Sequence, residues 1–242
     1  MYISLTRNIL YLPLGLFYFL LSLPLFLINL CIPRQKYAAM QLVSAENDRR
    51  QRLSDIGGFI KAGDRVLDVG CGNGKFGEAI AKKYNAEVRG VDVVDYADAN
   101  IAIDFYDGHR LPFEDNSFDV VVMAFMLHHV RHQDEIFKEA LRCSRRGLII
   151  YEDTYFSPWQ WLFTVWNDFY SNMVVGTVKI IKGLEGKGIL GMPLPFTFRS
   201  VQGWHNYFAQ NGLTPKATIL HHANIKPHSR VAFLLEKKKK KN

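Results

Sequence analysis

The sequence predicts an α/β protein built on a parallel sheet. Two observations carry this. Short apolar runs rich in β-branched residues alternate with helical patterns. Just before the first helix, Arg65-Val-Leu-Asp-Val-Gly-Cys-Gly-Asn-Gly74 runs from an apolar stretch into a glycine turn. Strand, glycine turn and helix form the frame with which α/β proteins cradle a nucleotide, because glycine lets the backbone turn tightly and approach a ligand.

The elements follow in order. Lys75 to Tyr84 reads as the first helix, and Val88 to Asp92 as the next strand. Ile101 to Phe105, Phe118 to Phe125 and Gly147 to Tyr151 are continuous apolar runs, the pattern of strands buried on both faces. Between the last two, Gln133 to Cys143 places Ile136, Phe137, Ala140 and Leu141 on one helical stripe. Phe198 to Gly212 is predicted as a helix with Ser200 as N-cap, Val201, Trp204 and Phe208 inward, and Gly212 as its stop. Thr214 to His222 and Arg230 to Leu235 alternate like an antiparallel pair.

Ligands on such sheets bind at the carboxyl ends of the strands. Gly70 to Gly74, Asp92, Asp107 and Phe125 to His129 all fall there. Asp68 sets the charge of this edge. It would repel a pyrophosphate but suits a ligand with positive charge, which favours S-adenosylmethionine, a sulfonium that also carries an ammonium. A dinucleotide remains the rival, since Gly72-Asn-Gly-Lys-Phe-Gly77 fits GxGxxG and would make the chain an NAD(P)-dependent oxidoreductase. That alternative leaves Gly70 and Asp68 without a role.

The chain resembles the class I S-adenosylmethionine-dependent methyltransferases, in the broad type 11-like group with an "LPF…D.SFD" signature. The resemblance rests on Val66 to Gly74, Val88 to Asp92, Asp107-Gly-His-Arg-Leu-Pro-Phe113, Glu114 to Asp119, and Val120 to Leu127 followed by His128-His129. It covers roughly residues 60 to 153. It implies a Rossmann-like, mostly parallel seven-stranded sheet ending in an antiparallel pair, with the fold reaching residue 236. It implies a cofactor site of Asp68, Gly70, Cys71, Gly72, Asn73, Gly74, Asp92, Val93, Asp107, Gly108, Ala124 and Phe125, with Asp92 on the ribose hydroxyls. His128, His129 and Asp153 are the candidate catalytic groups, with Glu152 beside them; a packing or substrate-positioning role is expected for one histidine, and service as a base is the alternative reading. The Asn-Pro-Pro-aromatic motif of relatives that methylate adenine or glutamine is absent, and Ala124-Phe-Met-Leu stands in its place. His128 and His132 have the i, i+4 spacing of a metal pair, but no third ligand is evident, so no metal is expected.

Three distant cysteines, Cys31, Cys71 and Cys143, suggest neither a disulfide framework nor a zinc site. Cys71 reads as a small residue of the turn. Lys237 to Lys241 supply five of the net charge of +7, leaving +2, so the basic balance makes no case for nucleic acid. No obligate protein partner is inferred.

From Asn8 to Pro33 only Tyr11, Tyr18 and Cys31 carry an ionisable group, and about 20 apolar residues suffice to cross a bilayer. The run is too long for a signal peptide. A spanning helix and a re-entrant or interfacial hairpin bent at Pro13, Gly15 or Pro24 both fit. Arg34, Lys36, Arg49, Arg50 and Arg52 follow the run, against Arg7 before it, which orients the rest toward the cytosol.

The expected organisation is a membrane anchor at 1–36, a methyltransferase domain at 37–236 with an aromatic insertion at 154–198, and a polybasic tail at 237–242. The insertion holds three of the four tryptophans and then a run with Gly183, Gly186, Gly188 and Gly191. It reads either as core covering the sheet edge or as a membrane-facing lid, with Asp168 toward solvent in both cases. The tail reads as a solvated end, a contact for anionic lipid, or a dilysine retrieval signal. Together these readings predict a membrane-associated methyltransferase acting on a small apolar or lipid-like acceptor, by O- or C-methylation. A membrane-bound module that binds the donor without catalysis is the alternative.

Overall fold

The computed structural model describes residues 5–94, 98–184, 197–221 and 229–237, with backbone alone for 5–12 and 14. Strands β1 (Arg65–Val69), β2 (Glu87–Asp92), β3 (Ala102–Phe105), β4 (Phe118–Ala124), β5 (Ser144–Thr154), β6 (Pro215–His221) and β7 (Ser229–Glu236) form one sheet in the order β3-β2-β1-β4-β5-β7-β6. The first five are parallel, and β7 runs antiparallel to both β5 and β6. Strand order reverses between β1 and β4, and a ligand crevice opens at such a switch point.

Helices cover both faces of the sheet. On one, α4 (Gln133–Cys143) and α7 (Val201–Gln210) bury Ile136, Phe137, Trp204 and Phe208 against Leu67, Val69 and Leu148. On the other, Phe76 and Ile80 of α3 (Lys75–Tyr84) pack with Leu53, Ile56 and Phe59 on Val66, Val120 and Ile149. Ser200 caps α7 by accepting from the Gly203 amide, and Gly212 beyond the helix adopts φ +73°. The predicted helices at 75–84 and 133–143 match the observed bounds.

The amino-terminal third adds two helices, α1 (Leu5–Cys31) and α2 (Arg34–Asp55). Pro13 and Pro24 sit within α1 without ending it. α2 was not predicted: it is polar, and its stripe is too weak to stand out from the sequence. Among the described residues no single helix is long and apolar enough to cross a membrane; Gly15–Cys31 and α2 pass such a test only together, bent by 116°.

α1 packs on the aromatic insertion, which forms α5 (Pro158–Phe169), a π-helical turn (Tyr170–Val175) and α6 (Gly176–Ile181). Tyr18, Val165, Phe169, Val174 and Phe198 form a third apolar cluster there. Polar groups fix the pairing: Tyr18 Oη donates to Leu162 O at 3.1 Å, Trp166 Nε1 to Ser22 Oγ at 3.0 Å, and Asn29 Nδ2 to Tyr170 Oη at 3.0 Å. Lys182 Nζ closes the end of α1 on the carbonyls of Leu30 and Ile32. The glycine and proline residues at 185–196, the β6–β7 connection at 222–228 and the tail at 238–242 lie outside the described residues. Lys237 is tied down, donating to Ser144 O at 2.6 Å and Leu141 O at 2.9 Å.

Candidate functional site

The glycine turn after β1 is built by close approach. Gly70, Gly72 and Gly74 adopt φ of +67°, +58° and +76°, a region that costs other residues energy. A Cβ on Gly70 would stand 2.9 Å from Met126 Cβ, and one on Gly74 2.8 Å from Ile103 Cδ1. The Cys71 thiol packs under Gly90, where a Cβ would meet its Sγ at 2.7 Å. Burial, with Asp68 and Asp92 adding to it, pushes this thiol far up, so it is a packing residue rather than a nucleophile. Asn73 is exposed, and its Oδ1 accepts from the Lys75 amide at the start of α3.

Asp92, at the end of β2, joins the turn. Its Oδ2 accepts from the Gly72 amide at 2.8 Å, and its Oδ1 from the amides of Val93 at 2.7 Å and Val94 at 3.2 Å. Val93 is exposed, and its Cγ1 lies 3.4 Å from where a Cβ on Gly108 would stand. Asp107 next door is exposed; its Oδ1 accepts from the amides of His109 and Arg110, which hold its pKa below the usual carboxylate range. The first, second and third motifs therefore meet at one corner. Ala124 ends β4, and Phe125 takes φ +54°, a conformation unusual for a bulky side chain.

Asp68 lies beneath this corner. Burial raises its pKa to about 7, Arg52 opposing and Asp92 adding to the rise. Its Oδ2 is buried and has no hydrogen-bond partner. Arg52 comes from α2, with its guanidinium 4.1 Å from the centre of the Phe76 ring and paired with Asp48 at 3.0 Å. Asp48 also pairs with Arg230, which reaches Asp153 Oδ1 at 3.2 Å. The surroundings of Asp68 are thus zwitterionic rather than simply acidic, and α2 supplies a cation that motif reading missed. A buried arginine on a polar helix leaves no local signature.

The candidate catalytic groups split between the two faces of β5, since successive strand residues point to opposite sides. Asp153 faces Arg230. Glu152 faces His128, whose Nδ1 lies 2.5 Å from Glu152 Oε2, while the Leu127 amide donates to Oε1 at 2.8 Å. Asp168, expected at the solvent, is instead buried on the inner face of α5, 3.6 Å from His128 Nε2 and 3.8 Å from His129 Nε2. It needs a partner there because a buried charge without one is costly. His128 is buried while His129 keeps some exposure. Burial alone would lower the His128 pKa; Glu152 and Asp168 outweigh it and hold the imidazole up to about 10. With these two carboxylates as its counter-charges, the ring is a poor free base. His132 points elsewhere, stacking on His109 at 4.4 Å.

Residues 67–151 match a family model described as a methyltransferase domain. Over 112 residues it is 31% identical to a 27-O-demethylrifamycin SV methyltransferase of Amycolatopsis mediterranei, spanning 40% of this chain and 41% of that protein. Over 103 residues it is 32% identical to the ubiquinone/menaquinone biosynthesis C-methyltransferase UbiE of Pseudomonas paraeruginosa, spanning 36% and 40%. The chain thus spans about two fifths of the length of these relatives. Among solved structures, the geranyl diphosphate C-methyltransferase of Streptomyces coelicolor superposes with a TM-score of 0.56 at 13% identity, over 84% of each chain. A SAM-dependent methyltransferase of Aquifex aeolicus gives 0.52 at 18%, over 78% of this chain and 89% of that one. The fold is the one these S-adenosylmethionine-dependent methyltransferases share.

Proposed function

We propose that this chain is an S-adenosylmethionine-dependent methyltransferase that acts at a membrane surface on a small apolar or lipid-like acceptor. The observation that carries the donor assignment is the corner where Gly72, Asp92, Val93 and Gly108 meet above the buried, unpartnered oxygen of Asp68. Asp92 suits the ribose hydroxyls, and the exposed Val93 beside Gly108 suits the face of an adenine. Asp68 and Arg52 together suit the ammonium and carboxylate of an amino-acid end, which a pyrophosphate coenzyme lacks. When bound, the donor supplies an electrophilic methyl group for in-line displacement. The protein's part is alignment, which by itself lowers the barrier by several kcal/mol. His128, His129, Glu152 and Asp168 line the side of the carboxyl edge from which an acceptor would approach.

The membrane reading is supported by the outer surfaces of the helical cover. Leu16, Phe17, Leu20, Leu21, Leu27 and Ile28 of α1 are each more than half exposed, and Trp159 of α5 is 74% exposed. Contiguous apolar surface of this kind marks an interaction site, and tryptophan favours the bilayer interface. Tyr18, Ser22 and Asn29 bind the inner face of α1 to the insertion, so one face alone is left for lipid. That favours a helix lying along the interface over one crossing the bilayer. The basic residues that follow α1 favour a cytosolic side for the domain. The names of the two relatives, a quinone-pathway C-methyltransferase and a rifamycin O-methyltransferase, fit apolar small molecules as acceptors.

Incubating the full chain with labelled S-adenosylmethionine and a total lipid extract tests the activity. Label should move into an organic-soluble product. Tight donor binding with no transfer to any lipid fraction would instead favour a non-catalytic module. An alkaline carbonate wash of membranes should release the protein; retention would mean a spanning anchor.

A further inference from the structure

His128 and His129 leave β4 in a single 3₁₀ turn, Leu127–His129, with ring centroids 4.1 Å apart. Asp168 Oδ1 lies 3.6 and 3.8 Å from their Nε2 atoms. An N–H···O hydrogen bond spans about 2.7–3.2 Å, so both gaps are long for one. Two donors held about 2.1 Å from one ion in tetrahedral geometry stand about 3.4 Å apart. The three donor atoms all fall within 4.8 Å of one another. We propose that His128 Nε2, His129 Nε2 and Asp168 Oδ1 form a site for one divalent transition-metal cation of the Zn²⁺ type.

The surroundings are those of a built site. Glu152 on His128 Nδ1 leaves Nε2 facing Asp168, where a cation would take the place of the ring's second proton, the carboxylate–histidine arrangement that backs metal ligands. Asn172 Nδ2 donates to Asp168 Oδ1 at 2.7 Å and to its carbonyl at 3.0 Å, so the ligating carboxylate is held as well. Asn172 sits in the π-helical turn after α5, a distortion common at functional sites. Two carboxylates, Glu152 and Asp168, are buried within this cluster, and one divalent ion would balance both charges. Two imidazoles with one carboxylate suit Zn²⁺ or a neighbouring transition metal rather than Mg²⁺ or Ca²⁺. Three protein ligands leave a coordination position open. An acceptor hydroxyl there would lose its proton to solvent more readily and keep the electron pair on oxygen for methyl transfer. That role rests on the proposed activity; the binding itself does not.

The test uses the full chain, stripped with chelator and carrying His109→Ala and His132→Ala. These changes remove the exposed trio His109, His132 and Glu135, the other group of possible ligands among the described residues. Calorimetric titration with Zn²⁺ and visible absorption with Co²⁺ should show one equivalent bound. His129→Gln and Asp168→Asn should each weaken it at least 100-fold, and Asp168→Glu should recover part of the loss. Affinity unchanged in both variants, or no uptake by protein whose circular dichroism is native, would reduce the cluster to a buried ion-pair network and overturn the site. Donor binding measured on the same samples separates the two readings. Intact donor binding without metal uptake sinks the metal site alone.

Discussion

At the cofactor edge, the Gly72 amide reaches Asp92 across 20 residues of chain. In the helical cover, Tyr18 reaches Leu162 across 144. The first contact joins a backbone amide of the glycine turn to a carboxylate at a strand end, groups that any close copy of the motif would reproduce. The second joins a side chain on one helix to a backbone carbonyl on another, brought together by tertiary packing alone. The edge has little freedom, since a single Cβ at Gly70 or Gly74 would collide with a neighbour. The cover can change its outer residues with little consequence for the fold, and so is where acceptor choice can vary.

The largest effect that would sharpen this contrast is at Asp92. Its carboxylate gathers three backbone amides, and hydrogen bonds to a charged group are worth about 1.5–3 kcal/mol. Asp92→Ala should therefore weaken S-adenosylmethionine about 100-fold by calorimetry, while Trp159→Ala should leave donor affinity unchanged and reduce liposome binding. Equal losses in both variants would break the division between edge and cover.

Next in size is Gly70→Ala, which adds both a 2.9 Å contact and a strained φ. It should cost about 2 kcal/mol, or roughly 4–8 °C in midpoint for a chain of this length. A thermal scan with no shift would mean that Met126 yields freely.

Asp68 gives a pH signature. Its pKa, about 7 in the folded protein, stands near 3.9 in an unfolded chain. Between those values the folded state holds the proton more tightly, so this group's contribution to stability falls as pH rises through that window. Its ionised form attracts the ammonium, so donor affinity should rise with pH across about 7, by no more than tenfold per unit. Asp68→Asn should flatten both profiles; a donor affinity that falls with pH would contradict the electrostatic assignment.

The smallest effect is at Ser200→Ala, which removes the cap of α7 and should cost about 1 kcal/mol in chemical denaturation with donor affinity intact.

How much could be read in advance follows the same division. The sheet was legible because Val120–Met123 and Leu148–Ile150 are buried on both faces and so apolar throughout. The glycine turn, Asp92 and the Ser200 cap were legible because each stands at a marked place in the pattern: a turn, a strand end and a helix start. Arg52, Glu152 in its pairing with His128, and Asp168 were not. Each is a polar residue whose burial depends on a partner 16 or more positions away, supplied by tertiary packing. Asp168 looked solvent-facing because α5 is apolar on its outer side as well, so its stripe could not reveal which face turned inward. The same ambiguity left core and lid as rivals, and α5 has features of both: Val165 and Phe169 are buried while Trp159 and Phe163 are exposed.

The most direct test of the donor assignment is a paired titration of the purified full chain with S-adenosylmethionine and with NAD⁺. The methyl donor should bind saturably, Asp92→Ala should abolish that binding, and the dinucleotide should give no heat. Binding of NAD⁺ in its place, with the methyl donor ignored, would contradict the assignment.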